Sequence, residues 1–275
     1  MDDERWRGLR TLFDGVAERY DAARPRYPRV VVDDLVALAG LEFGSRVLEI
    51  GCGTGQLTVD LARRGLDVTA VELGPALAAV ARRNLAPYPH ARVVVGTFEE
   101  YVPTEPVDAV VAASSFHWVA PDARVARTAA ALRPGGALAV MDVRHVAGGT
   151  EAFFAESQHC YLRFDPETES GFREPTADSS PDVYPEVDDA AQFGPVSRRR
   201  HTFDVTYTAG RFRDLLSTFS VNLALSDENR QGLLDCLAAL IDDRFGGVVT
   251  KPSPGAVGGG PAPLTAARPR GCQLG

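Results

Sequence analysis

The run Glu49-Ile50-Gly51-Cys52-Gly53-Thr54-Gly55-Gln56 decides the fold. Before it stands Arg46-Val47-Leu48, a short apolar stretch of the kind that forms a buried parallel strand. After it, Leu57 to Arg64 is helix-prone and closes on Gly65. Strand, glycine turn and helix in that order are the first unit of a doubly wound sheet, whose ligands lie beyond the carboxyl ends of the strands. The glycines allow the tight turn and let a ligand approach bare backbone.

Gly51, Gly53 and Gly55 give G-x-G-x-G rather than the G-x-G-x-x-G of dinucleotide binders. Glu72 closes Asp67-Val68-Thr69-Ala70-Val71, the expected second strand, where a carboxylate can accept hydrogen bonds from a ribose diol. That feature fits either kind of nucleotide ligand. Glu49, just ahead of the glycines, favours a ligand with an ammonium group over a pyrophosphate. The stretch E-I-G-C-G-T-G-Q resembles the first motif of the class I S-adenosylmethionine-dependent methyltransferases. What the resemblance implies is a seven-stranded, mostly parallel Rossmann-like α/β sheet with helices on both faces, and S-adenosylmethionine as cofactor. It places Glu49, Gly51, Cys52, Gly53, Gly55, Gln56, Glu72 and Leu73 around that cofactor.

Phe13 through Pro28 reads F-x-x-x-A-x-x-Y-D-x-x-R-P-x-Y-P. The pattern resembles a small-molecule subfamily that includes trans-aconitate methyltransferase-like enzymes. There this segment folds over the cofactor, which implies that Tyr20 faces the cofactor and Arg24 the substrate; the plainer alternative is that Tyr20 caps the core and Arg24 pairs with a surface carboxylate. The third strand, Arg92 to Val95, leads to Thr97, Phe98 and Glu99. The family often has aspartate at the position of Thr97, so the adenine contact here falls to the threonine hydroxyl, the backbone at Phe98 and Glu99. Phe98 reads equally well as a core residue.

The fourth strand, Val107 to Ala112, is followed by Ala113-Ser114-Ser115-Phe116-His117-Trp118-Val119, where a methyl acceptor should approach. Ser114 is expected at the cofactor, and Ser115, His117 and Trp118 on the acceptor side. His117 is the group placed to orient or deprotonate an acceptor, with packing against Trp118 as the alternative. The run lacks the D-P-P-Y type motif of nitrogen methylation, and no Pro-Cys dipeptide exists to supply a cytosine C5 nucleophile. Arg133-Pro134-Gly135-Gly136 turns into a fifth strand, Ala137 to Val143, with Arg144 at its end as a further substrate candidate.

Along the chain the sequence divides into an N-terminal helix and covering segment (1–28), a cofactor-binding core (29–145), an insertion or lid between strands five and six (146–197), a C-terminal part of the core (198–251) and a tail (252–275). Arg198 to Tyr207 reads as strand six, and Val248 begins as strand seven should. From Pro252 onward the composition turns to Pro, Gly, Ala, Ser and Arg, which predicts a truncated or unstructured end and a sheet weakened at that edge.

The net charge of -8 (29 basic against 37 acidic residues) weighs against a nucleic-acid partner. Four widely spaced cysteines show neither zinc spacing nor a disulfide framework. The charged Met1-Asp2-Asp3-Glu4-Arg5 start and the lack of a long apolar run lead to the expectation of a cytoplasmic protein with no membrane partner. Nothing in the residues calls for a metal. The expected function is methyl transfer from S-adenosylmethionine to a small molecule. Two alternatives stay open: an NAD(P)-dependent oxidoreductase, and a cofactor-binding protein without turnover.

Overall fold

A computed structural model describes residues 8–142, 146–171, 174–176, 184–194, 196–252 and 264–267. In chain order the elements begin with helices α1 (Ala17–Ala23) and α2 (Arg29–Ala39), then β1 (Arg46–Ile50), α3 (Gln56–Arg63), β2 (Asp67–Glu72), α4 (Pro75–Asn84) and β3 (Ala91–Val95). They continue with β4 (Val107–Ala113), α5 (Pro121–Ala131), β5 (Leu132–Met141), α6 (Glu151–Phe164), α7 (Pro185–Asp188), β6 (Ser197–Arg199) and β7 (Asp204–Thr208). Last come α8 (Ala209–Leu216), α9 (Ser220–Leu223), α10 (Asp227–Arg244), β8 (Val248–Pro252) and β9 (Leu264–Ala267).

The chain forms two units, one drawn from residues 26–142, 181–201 and 262–275, the other from residues 1–25, 143–180 and 202–261. The first unit holds a sheet in the order β3-β2-β1-β4-β5-β9-β6. Strands β3, β2, β1, β4 and β5 are parallel, with Glu49 opposite Ala70 on one side and Val111 on the other. Their burial explains the sequence: Val47, Leu48, Val68, Val71 and Val110 are all but inaccessible, as β-branched and aliphatic residues must be in strands covered on both faces. Pro75 stands in the first turn of α4, where its missing N–H is no loss, and Gly40 ends α2 in the left-handed conformation.

The sheet has seven strands, the number that the sequence reading expects, and five neighbours among them pair parallel. Of the two remaining strands, β9 runs antiparallel to β5, with Leu138 facing Ala267, and β6 runs antiparallel to β9, with Arg198 facing Thr265, so β6 points the same way as β5. Part of the stretch expected as an unstructured tail thus supplies the strand that covers the outer edge of β5, so β5 does not end the sheet as an open edge.

The stretch read as strand six splits into β6 and β7, and β7 leaves the sheet to pair with β8 as a separate antiparallel ribbon, Val205 opposite Lys251. The cause is the second unit's own core. Tyr207 and Val249, one from each strand of the ribbon, are buried with Phe153 of α6, Phe212 of α8 and Leu233, Leu237 and Ile241 of α10. Phe153 lies edge-on to Phe212 at 5.4 Å and to Phe245 at 5.5 Å. The apolar side chains of Phe153 and Tyr207 bind their segments to helices instead of to the sheet. The expected insertion is divided in the same way. Its α6 belongs to this helical core and is joined to α10 by a disulfide, Cys160 to Cys236, which the cysteine spacing did not reveal. Its Tyr184, Val187 and Phe193 belong to the first unit, packed with Phe116, Leu48 and Phe98.

Candidate functional site

Three loops meet at the carboxyl ends of β1, β2 and β4. The β1 loop begins with Gly51, at φ 61°, whose N–H donates to Val71 O at 2.8 Å. A Cβ on Gly51 would lie 2.8 Å from the Cβ of Ser115, so the β1 and β4 loops can touch here only because the residue is glycine. The Ser115 hydroxyl donates to Ile50 O, which ties the same two loops from the other side. Glu72 fixes the third loop: its Oε2 accepts from Gly53 N–H and its Oε1 from Gly74 N–H, each at 2.8 Å.

Inside this frame lie polar atoms that the protein itself does not satisfy. Glu49 Oε2 and Thr54 Oγ1 are buried without a hydrogen-bond partner, and Thr58 Oγ1, close enough to Glu49 to favour its charged form, makes no hydrogen bond of regular geometry. A buried polar atom left unpaired costs about 1–3 kcal/mol, and more when charged. Such atoms on one strand end, in the turn after it and in the first turn of α3 mark a place built to receive a polar ligand. Burial pushes the Glu49 carboxyl up to about 8; the Thr58 hydroxyl opposes the shift and the charge of Glu72 adds to it. A cationic ligand group beside Glu49 would relieve that penalty, and the threonine hydroxyls can donate as well as accept. Thr54 and Thr58 escaped the sequence reading; their place in G-C-G-T-G-Q-L-T was the available signal.

Other predicted residues take up a range of positions. Cys52 is buried, and desolvation drives its thiol well above the usual range, so it serves as a small apolar filler. Gln56 is buried at the start of α3, and Leu73 is half-buried after β2. Phe98 is buried in the core with Leu48, Ile50 and Phe116, which leaves only its backbone for a ligand edge. Thr97 donates to Glu100 at 3.0 Å, and Glu99 accepts from the Ala120 N–H at 3.3 Å.

Ser114 has φ 51°, a left-handed conformation for a non-glycine residue, and its N–H donates to Met141 O at 2.7 Å. The turn it makes carries β4 into Phe116–Trp118. His117 stands next to Trp118, ring centroids 4.8 Å apart, and its Nδ1 lies 3.9 Å from Oδ1 of the buried Asp142 at the end of β5. Asp142 is a third residue that sequence reading missed. Ser115, expected on the acceptor side, spends its hydroxyl proton on Ile50. Arg144 lies outside the described residues.

Tyr20 and Arg24 belong to the other unit. There the Arg24 guanidinium donates to Thr218 through Nε to Oγ1 and Nη2 to the carbonyl, both at 2.8 Å, and lies over the rings of Tyr20 and Phe219 at 4.9 and 4.4 Å. Its ring-stacked fork is the kind of contact a lysine could not reproduce.

Comparison with known proteins finds likeness over the same part of the chain. Residues 47–136 match the family model described as a methyltransferase domain. An uncharacterized methyltransferase of Mycobacterium tuberculosis (strain ATCC 25618 / H37Rv) is 39% identical over 137 residues, covering 49% of this chain and 53% of that protein. The ubiquinone biosynthesis O-methyltransferase of Xanthomonas campestris pv. campestris (strain B100) is 34% identical over 135 residues, 46% of this chain and 56% of that protein. The chain thus spans about half the length of the curated relatives it matches. Among solved structures, a methyltransferase from Thiobacillus denitrificans in complex with S-adenosyl-L-homocysteine aligns over 92% of this chain and 96% of its own, with a TM-score of 0.52 at 16% identity. That likeness speaks for the fold.

Proposed function

We propose that this chain, whose residues 47–136 match the model of a methyltransferase domain, is a methyltransferase of the class I kind that transfers the methyl group of S-adenosylmethionine to a small molecule. The observation that carries the reading is the buried, unpartnered Oε2 of Glu49 beside the Gly51–Gly55 turn. When bound, S-adenosylmethionine supplies a methyl group on a sulfonium, already activated for displacement. Glu49 receives the ammonium of the amino-acid end, and Thr54 and Thr58 complete its polar partners. Glu72, already fixed to the loops by two backbone donors, keeps lone pairs for the ribose diol. The backbone at Phe98, with Thr97 and Glu99, borders the adenine.

The acceptor is assigned to the loop after β4. His117 would take the acceptor's proton, and the Asp142 carboxylate, 3.9 Å from its Nδ1 and so outside direct hydrogen-bond reach, stands beside the ring. Ser114 and Trp118 flank that position. What this chain contributes is alignment and exclusion of water, since the leaving group is supplied ready-made.

Calorimetric titration with S-adenosylhomocysteine, S-adenosylmethionine and NAD⁺, followed by transfer of a labelled methyl group to a panel of small carboxylic acids and phenols, tests the reading. Binding of both sulfur ligands with transfer to one acceptor class is expected. Binding of NAD⁺ in their place would make the chain an oxidoreductase, and binding of the sulfur ligands without transfer to any acceptor would favour a cofactor-binding protein without turnover.

A further inference from the structure

In the helical unit, His159, Cys160 and Cys236 bring one nitrogen and two sulfurs together, all within 4.8 Å. His159 and Cys160 are consecutive on α6, and Cys236 is on α10. Nε2 of His159 lies 3.4 Å from Sγ of Cys160 and 3.6 Å from Sγ of Cys236. The other ring nitrogen, Nδ1, is bonded to the carbonyl oxygen of Glu156. A carbonyl can only accept, so Nδ1 carries the proton and Nε2 presents its lone pair to the two sulfurs.

We infer that Cys160, Cys236 and His159 form a zinc site that opens when their disulfide is reduced. The nitrogen–sulfur distances support it, while the two sulfurs, bonded in the oxidised chain, part on reduction to the roughly 3.8 Å that two thiolates on one tetrahedral zinc require. A tetrahedral Zn²⁺ with bonds of about 2.0 Å to imidazole and 2.3 Å to thiolate holds nitrogen and sulfur about 3.5 Å apart, the separation found at both sulfurs. A backbone carbonyl on the far nitrogen is the usual means of fixing the tautomer and direction of a zinc-bound histidine. Two thiolates neutralise the ion, which suits the fully buried Cys160, and the exposed His159 gives an entry path.

The chemistry balances as follows. An external dithiol gives two electrons and two protons to the Cys160–Cys236 bond, which breaks into two thiols while the reductant becomes its own disulfide. Zn²⁺ then displaces both thiol protons and takes the neutral imidazole as its third ligand and water as its fourth.

The test uses the whole chain, stripped of metal and reduced with a phosphine that does not bind zinc, beside the oxidised chain. Zn²⁺ is titrated against a chromophoric chelator, and Co²⁺ is added to report thiolate ligation by charge-transfer absorption. The reduced chain is expected to take one Zn²⁺ and to show the thiolate band, and the oxidised chain neither. His159→Ala, at an exposed position, should weaken uptake by more than the roughly 10- to 100-fold that loss of a group merely hydrogen-bonded to a metal ligand costs. Uptake by the reduced chain no greater than that of the Cys160→Ser/Cys236→Ser variant would overturn the inference. So would wild-type affinity in His159→Ala, equal uptake by the oxidised chain, or a reduced chain that unfolds without binding the ion.

Discussion

Glu72 holds Gly53: the carboxylate at the end of β2 accepts the backbone N–H of the β1 loop at 2.8 Å, and with its other oxygen accepts from Gly74. One side chain therefore sets the distance between the two loops that the proposed nucleoside ligand would bridge. Hydrogen bonds to charged groups contribute about 1.5–3 kcal/mol each. Glu72→Ala removes two of them together with the ribose acceptor, and it is expected to lower affinity for S-adenosylhomocysteine by roughly 100-fold or more. Glu72→Gln keeps one acceptor oxygen and should fall between the two. Calorimetry on all three proteins, with circular dichroism to show that each is folded, measures the effect; unchanged affinity in Glu72→Ala would remove Glu72 from the site.

Glu49 makes the site sensitive to pH in a defined direction. Its carboxyl is shifted by burial from 4.5 to about 8 in the folded chain. Between those two values the folded state holds a proton that the unfolded state has lost, so the contribution is fully present below about 4.5 and disappears as pH rises through 8. Unliganded stability should fall by up to about 1.4 kcal/mol per pH unit across that window on account of this group. Glu49→Gln should lose that slope, which urea denaturation at a series of pH values will show as a widening advantage over wild type towards pH 8. An ammonium bound beside Glu49 reverses its preference. Binding of S-adenosylhomocysteine near neutral pH should then release up to about one proton, read from heats in buffers of different ionisation enthalpy, and Glu49→Gln should release none of it.

The parts of this structure that were legible in the sequence are those made by neighbours in the chain. Arg46 to Gly65 declares a strand, a glycine turn and a helix through its own alternation and punctuation, and Glu72 follows at the end of the next strand. What was hidden depends on distant partners. β7 and β8 look like sheet strands until Phe153 and Phe212 are placed against Tyr207. Cys160 and Cys236 are 76 residues apart, and no periodicity announces such a pairing. Leu264–Ala267 has too little apolar character to stand out from its Pro- and Gly-rich surroundings, yet β5 and β6 recruit it by main-chain bonding, which side-chain pattern does not encode. In the site, Glu49 and the glycines were visible by chemistry, whereas Asp142 and the two threonines acquire meaning only from what surrounds them.

Gly51→Ala tests the closeness of the β1 and β4 loops. The new Cβ would need a left-handed backbone at φ 61° and would lie 2.8 Å from Ser115 Cβ, well inside contact distance. Strain of the first kind is worth about 1–3 kcal/mol, and the clash adds to it because Ser115 is held by its bond to Ile50 O. A loss of stability of about 2 kcal/mol or more is expected, with ligand affinity lowered further because the turn moves. Ser115→Ala keeps the Cβ that causes the clash, so it should not rescue Gly51→Ala, whereas Ser115→Gly should restore part of the lost stability. Thermal denaturation of the single and double variants separates the two causes.

Arg24 is the residue for which sequence and structure give different work. The sequence pattern sets it at the substrate, while its guanidinium spends its fork on Thr218 and lies between the rings of Tyr20 and Phe219. Thr218 is itself buried and passes its hydroxyl proton on to Leu215 O at 2.6 Å, so the contact fastens the end of α1 to the end of α8. Lysine carries the same charge but no fork and no flat face. Arg24→Lys is therefore expected to destabilise the chain by about 1–3 kcal/mol, the scale of a lost charged hydrogen bond together with a cation–π contact. Thr218→Val should lose part of the same energy, and the double variant should lose less than the sum, since both changes break one interaction. Affinity for S-adenosylhomocysteine should stay within about threefold of wild type, a difference of roughly 0.7 kcal/mol. A stable Arg24→Lys protein whose methyl acceptor binds poorly would return Arg24 to the substrate, so both denaturation and acceptor titration are to be run on the same preparation.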